Sequence, residues 1–128
     1  MISFDLFAIE DGSPIYVQIL RYFKRGIVSG VILDGDELPS RRVLSSLLGI
    51  NPNTVQKAYR MLEEAGLIES RSGAKSVMDL GGATIELVRA ELLDSDILSV
   101  ISALKQAGVP KEEALRLIEQ NWEGVRSN

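Results

Sequence analysis

The stretch from Leu38 to Leu62 constrains this chain more tightly than any other. It reads Leu38-Pro39-Ser40-Arg41-Arg42-Val43-Leu44, passes through Leu47-Leu48-Gly49-Ile50-Asn51-Pro52-Asn53-Thr54-Val55, and continues with Gln56-Lys57-Ala58-Tyr59 to Leu62. Leu44, Leu47 and Leu48 recur at helical spacing before Gly49, and Val55, Ala58, Tyr59 and Leu62 recur after it. The spacing predicts two short helices. Ser40 is placed to cap the first, and Asn51-Pro52 pairs a capping side chain with a proline at the first helical position of the second. Gly49 falls where the first helix must stop, in a conformation that commonly needs positive φ and hence no Cβ. Two helices joined in this way form a helix-turn-helix, whose second helix enters the DNA major groove.

Little else in the chain offers chemistry. With 128 residues there is room for one domain, or a small domain with an appendage. An apolar fraction of 45% and a charged fraction of 25% suit a folded protein, and 5% aromatics imply an aliphatic core. There is no cysteine and no histidine. That removes thiol nucleophiles, disulfides, the usual general base and the commonest metal ligands. Neither an enzyme, a metal site nor a cofactor is expected. No basic leader precedes an apolar run, and no stretch approaches the ~18 apolar residues of a membrane helix. The expectation is a soluble, cytoplasmic protein with no membrane partner.

A net charge of −4 suits a DNA-binding protein poorly until it is resolved along the chain. Residues 1–39 carry three Lys/Arg against six Asp/Glu, and residues 76–128 carry five against nine. Residues 40–75 reverse the balance, with Arg41, Arg42, Lys57, Arg60, Arg71 and Lys75 against three acidic residues, a local +3. Positive charge gathers on the helix-turn-helix and the segment behind it, where contact with phosphates requires it.

The flanking elements complete a fold. Residues 1–12 are irregular, with Phe4, Leu6 and Ile9 as candidate anchors. Ser13-Pro14 is read as a cap and first-turn proline opening a helix with Ile15, Ile19, Tyr22, Phe23 and Ile27 on its main face. Tyr16 and Leu20 add a second stripe. That helix ends near Ser29-Gly30, and Asp34-Gly35-Asp36 signals a turn. The second motif helix runs to Ala65, with Gly66 beyond it. Leu67–Arg71 and Ser76–Asp79 read as strands around a turn at Ser72-Gly73-Ala74-Lys75. A hairpin directly behind a three-helix unit is the winged-helix arrangement. The fold class expected is α+β: a winged helix-turn-helix domain over residues 1–79, then a helical tail over 84–128.

Leu80-Gly81-Gly82-Ala83 marks the boundary, since paired glycines disfavour helix and strand, and a helix from about Thr84 to Ala107 is followed by Gly108 and a last helix opened by Pro110. Ala114, Leu115, Ile118 and Trp122 form the apolar face of that last helix. Some 40 residues in two helices cannot bury enough apolar surface alone, because domains of about that size usually need staples or partners. They must pack on the first helix, whose Tyr16/Leu20 stripe is spare, or on a second copy of themselves, or both; a homodimer through residues 84–123 is expected, since a two-fold axis suits palindromic DNA.

With these residues in view, the chain resembles the GntR family of bacterial transcriptional regulators, and its YtrA-type branch in particular. The likeness rests on Ser13-Pro14-Ile15-Tyr16-Val17-Gln18-Ile19, Gly35-Asp36-Glu37-Leu38-Pro39-Ser40-Arg41-Arg42, Leu48 to Val55, Ala58-Tyr59, Leu62-Glu63 and Gly66-Leu67-Ile68, covering roughly residues 13–79. The short two-helix tail carries the likeness to the branch. The resemblance implies a dimeric winged-helix repressor binding an inverted-repeat operator in double-stranded DNA, often encoded beside ABC transporter genes. It names no small-molecule effector. Two departures stand out: the wing keeps Gly73 but lacks the family's second glycine and aromatic, and Asp34 replaces a proline, which is expected only to loosen that turn.

Arg42 aligns with the arginine of the family's Leu-Pro-Ser-x-Arg motif, which implies DNA contact. Ser40 is expected to cap and also to touch phosphate, and Arg41 to be solvated. On the second motif helix Asn53, Thr54, Gln56, Lys57 and Arg60 are left facing outward once the apolar set is removed. The first turn penetrates the groove, so Asn53, Thr54 and Gln56 are candidates to read bases, glutamine suiting adenine N6/N7. Lys57 and Arg60 sit further along and suit phosphate, with Gly73 and Lys75 at the wing. The competing reading is a winged helix used for protein–protein assembly, which the overall acidity permits; the polar recognition face favours DNA.

Overall fold

The computed structural model describes residues 1–73 and 75–125; Ala74 of the expected turn and the last three residues of the expected tail lie outside the described residues. In chain order the elements are α1 (Ile15–Ser29), α2 (Arg41–Leu48), α3 (Pro52–Glu64), β1 (Ile68–Ser70), β2 (Ser76–Met78), α4 (Gly82–Gln106) and α5 (Lys111–Trp122). Two compact units result, Met1–Leu92 and Leu93–Asn128.

Local chemistry sets the helix ends. The Ser40 hydroxyl accepts the Val43 N–H at 3.1 Å, and the Asn51 side chain accepts the Asn53 N–H at 2.8 Å with Pro52 opening α3. Gly49 closes α2 at φ 65°, which lets the chain reverse within three residues. The Ser45 hydroxyl donates to the Ile50 carbonyl at 2.6 Å across that turn. Two proline starts differ from expectation. Pro14 and Pro110 are themselves the capping residues, in extended conformation and without a side-chain cap. At α1 no side chain caps the helix; the Gln18 amide instead ties down the segment that leads into it, its oxygen accepting the Glu10 N–H and its nitrogen donating to the Glu10 and Ser13 carbonyls.

The core of the first unit joins Ile19, Phe23 and Ile27 of α1, Leu44 of α2, and Val55, Ala58, Tyr59 and Leu62 of α3 to Ile68 and Met78 of the hairpin. Strands β1 and β2 pair antiparallel with Ile68 opposite Met78 and Ser70 opposite Ser76. The segment 35–38 runs along the free edge of the two-stranded sheet, beside β2, and is held there by backbone hydrogen bonds around one isolated bridge that the sequence did not predict. Leu38 N–H donates to Ser76 O at 2.9 Å, Met78 N–H to Asp36 O at 2.8 Å, and a bridge joins Glu37 to Val77.

The N-terminal anchors also differ. Ile2 and Phe4 are buried, Phe7 is half-buried, and Leu6 is 89% exposed. The Ile2 N–H reaches Glu37 O, and Phe4 stacks on Tyr22 with centroids 4.7 Å apart, which turns Leu6 and Ile9 outward. Burial and the carboxylate of Asp5 raise the Tyr22 hydroxyl above its ordinary pKa, and that hydroxyl donates to the Ser3 carbonyl at 2.6 Å. Asp34 does more than loosen its turn, since its carboxylate accepts the Leu80 N–H at 2.8 Å, 46 residues away.

The paired glycines do not delay α4, which begins at Gly82. The first compact unit reaches into α4 as far as Leu92, and Val88 and Leu92 are the buried residues of that helix. In the second unit, Val109 N–H donates to Leu104 O at 3.0 Å in the turn between the helices. None of its described residues is buried.

Candidate nucleic-acid interface

The two faces of α3 are chemically separate. Val55, Ala58, Tyr59 and Leu62 are at most 1% exposed and hold the helix to the core. Asn53, Gln56, Lys57 and Arg60 are exposed on the other side, as the sequence implies. Thr54 differs: it is half-buried, and its N–H is spent on Asn51 O at 3.0 Å. Its place beside Val55 on the helix circumference turns it partly toward the core.

Lys57 is less free than its exposure suggests, because its Nζ lies 4.0 Å from the centroid of the Tyr16 ring on α1. A cation over an aromatic face is held by the ring quadrupole without losing its charge. The Tyr16 stripe is thus partly used within the unit, against the recognition helix. Arg60 and Arg42 are exposed, and Ser40 is half-buried at its cap. Gly73 and Lys75 are exposed at the wing, where Arg71 N–H donates to Lys75 O at 2.8 Å and Arg71 pairs with Glu69 at 3.5 Å.

Arg41 is not solvated as expected. It is half-buried, with its guanidinium carbon 5.2 Å from the centroid of the Tyr59 ring. The signal was present in the periodicity. Arg41 lies three residues before Leu44, four before Ser45 and seven before Leu48, on the arc of α2 that turns inward. Leu47 is the converse case, 68% exposed because the buried arc runs through Leu44, Ser45 and Leu48 and leaves it to one side. Tyr59 in turn donates its hydroxyl to Pro39 O at 2.6 Å. Burial raises that hydroxyl's pKa well above its ordinary value, with the Arg41 charge pulling the other way, so Tyr59 stays a neutral donor.

Among the described residues no cluster of acidic side chains is placed to hold a metal, and no helix is long and apolar enough to cross a membrane. A helix-turn-helix with a hairpin behind it and a polar, cationic outer face on its second helix defines a winged-helix DNA-binding protein.

Comparison with known proteins then gives the family. Residues 15–77 match the bacterial regulatory proteins of the gntR family. The chain is 32% identical over 123 residues to the HTH-type transcriptional repressor YtrA of Bacillus subtilis (strain 168), an alignment spanning 93% of this chain and 95% of that one. It is 30% identical over 115 residues to the HTH-type transcriptional regulator YhcF of the same organism, spanning 90% and 95%. A solved GntR family transcriptional regulator from Listeria monocytogenes superposes with a TM-score of 0.73 at 31% identity, covering 88% of this chain and 98% of that one. The chain belongs to the GntR family and is a DNA-binding transcriptional regulator of it.

Proposed function

We propose that the protein is a dimeric repressor that occupies an inverted-repeat operator with α3 of each copy in the major groove. The observation that carries this reading is the outward row Asn53, Gln56, Lys57 and Arg60, set on a helix whose opposite face is sealed. Asn53 and Gln56, at the groove-entering end, read base edges. Lys57, Arg60 and Arg42 hold phosphates, and Ser40 divides its duty between cap and phosphate. Thr54 contributes at the edge of this face, and Gly73 and Lys75 bring the wing to the backbone.

Dimerisation is supported by the second unit. Ile97, Leu98, Leu115 and Trp122 are between 57% and 71% exposed, an apolar surface that a second copy would cover. Repression is supported by the likeness to YtrA, and an ABC transporter operon is the target that the family resemblance implies.

The test is a binding comparison of wild type, Gln56→Ala and Asn53→Ala on operator and scrambled duplexes at one fixed salt concentration. Each lost bidentate contact is expected to cost about 1–3 kcal/mol on the operator and little on the scrambled duplex. Equal losses on both would remove these residues from base reading, and no loss on either would remove α3 from the interface.

A further inference from the structure

We infer that Arg41 is a phosphate ligand, held ready for DNA by the ring of Tyr59. The inference rests on the DNA-binding reading of the helix-turn-helix but assigns a contact to a residue outside the outward row of α3 and outside the Leu-Pro-Ser-x-Arg arginine.

Three observations carry it. First, the Arg41 Nε is buried and has no hydrogen-bond partner among the described residues. Part of a charged group has therefore been taken from water with only the Tyr59 ring quadrupole beside it, a partial compensation that an anion on the remaining guanidinium donors would complete. Second, the guanidinium is already oriented. Its carbon stands 5.2 Å from the Tyr59 centroid, while the Tyr59 hydroxyl is tied to Pro39 O at 2.6 Å, one residue before the Ser40 cap. Ring, cap and cation form one rigid corner between the start of α2 and α3. Arginine stacks in this way while leaving donors of its planar fork for an oxygen pair, which lysine does not do. Third, the position is electrostatically consistent. Arg42 adjoins it on the chain, and the surrounding segment 40–75 carries a local charge of +3 in a protein of net charge −4. Tyr59 is a positioning residue here; the contact to DNA is made by Arg41.

The experiment measures affinity for a random-sequence duplex of about 30 base pairs, roughly three helical turns, by fluorescence anisotropy between about 50 and 200 mM NaCl. Each phosphate contact adds about 0.9 to the slope of log K against log salt, so Arg41→Gln is expected to lower it by about that amount per subunit. Across the fourfold salt range this is about a 3.5-fold smaller loss of affinity per contact removed. Arg41→Lys should keep most of the slope and bind more weakly, because the charge remains and the stacked fork is lost. Tyr59→Phe keeps the ring and frees it from Pro39, and should weaken binding with the slope intact.

A wild-type slope in folded Arg41→Gln overturns the assignment and leaves Arg41 a purely structural cover for Tyr59. Should Arg41→Gln not fold, nitrogen NMR of the wild-type guanidinium decides. The Arg41 N–H signals should shift and exchange more slowly on adding the duplex, and unchanged signals overturn the assignment. Wild-type protein that fails to bind the duplex overturns the DNA-binding reading itself, a result distinct from loss of this one contact.

Discussion

Adding one methyl group at Gly26 should destabilise the protein, although glycine is the poorest residue but proline inside a helix. Gly26 lies within α1, and a Cβ built on it would stand 2.4 Å from Cδ1 and 2.7 Å from Cγ1 of Ile32. Ile32 cannot swing away easily. It is 4% exposed, and its own N–H donates to Gly26 O at 2.9 Å, which holds the two backbones together. Relief from the glycine penalty favours alanine by about 1 kcal/mol, whereas overpacking a closed core costs about 1–3 kcal/mol. The net expectation for Gly26→Ala is a loss of about 0–2 kcal/mol. Ile32→Ala alone should cost about 2–5 kcal/mol through the cavity it leaves. With Ile32 truncated the clash is gone, so Gly26→Ala should then stabilise by up to about 1 kcal/mol. The assay is a double-mutant cycle by urea denaturation, and the diagnostic is a change of sign between backgrounds. Stabilisation by Gly26→Ala in the wild-type background, equal to that in Ile32→Ala, would refute the reasoning.

Asp34→Ala should lower stability by about 1–2 kcal/mol, since the Leu80 N–H loses a charged acceptor at 2.8 Å; Asp34→Asn, which keeps an oxygen there, should recover most of it in the same denaturation assay. Alkaline pH should destabilise the protein through Tyr59. Its hydroxyl is raised from 10.0 in the folded state, so above about pH 10 the unfolded chain binds fewer protons, and stability falls as pH rises. Thermal melts at pH about 9 and 11 should show a smaller decline in Tyr59→Phe than in wild type, and equal declines would remove Tyr59 as the cause. The proposed dimer should scatter light at twice the 14.0 kDa chain mass, and Ile97→Lys with Trp122→Lys should shift it toward monomer. A wild-type monomer at micromolar concentration would sink the assembly.

The sequence by itself determined whatever depends on a residue and its neighbours within a turn or two. The Ser40 and Asn51 caps, the Gly49 reversal, the C-terminal ends of α1 and α3 and the sealed face of α3 arise from local hydrogen bonding and helical periodicity, and all stand where the residue order implies. The outward set on α3 was legible for the same reason, as the complement of an apolar face, with Thr54 alone drawn half inward. Only the tertiary structure decided pairings between distant segments. Asp34 finds the Leu80 N–H, the segment 35–38 bridges to the edge of β2, and Ile2 and Phe7 displace Leu6 and Ile9 as anchors. Arg41 shows where the two meet. Its spacing from Leu44 and Leu48 turns it inward, but a charge is read as solvated until the partner that shields it is known. That partner, Tyr59, lies 18 residues further along the chain and comes within reach only when α2 and α3 fold onto one core.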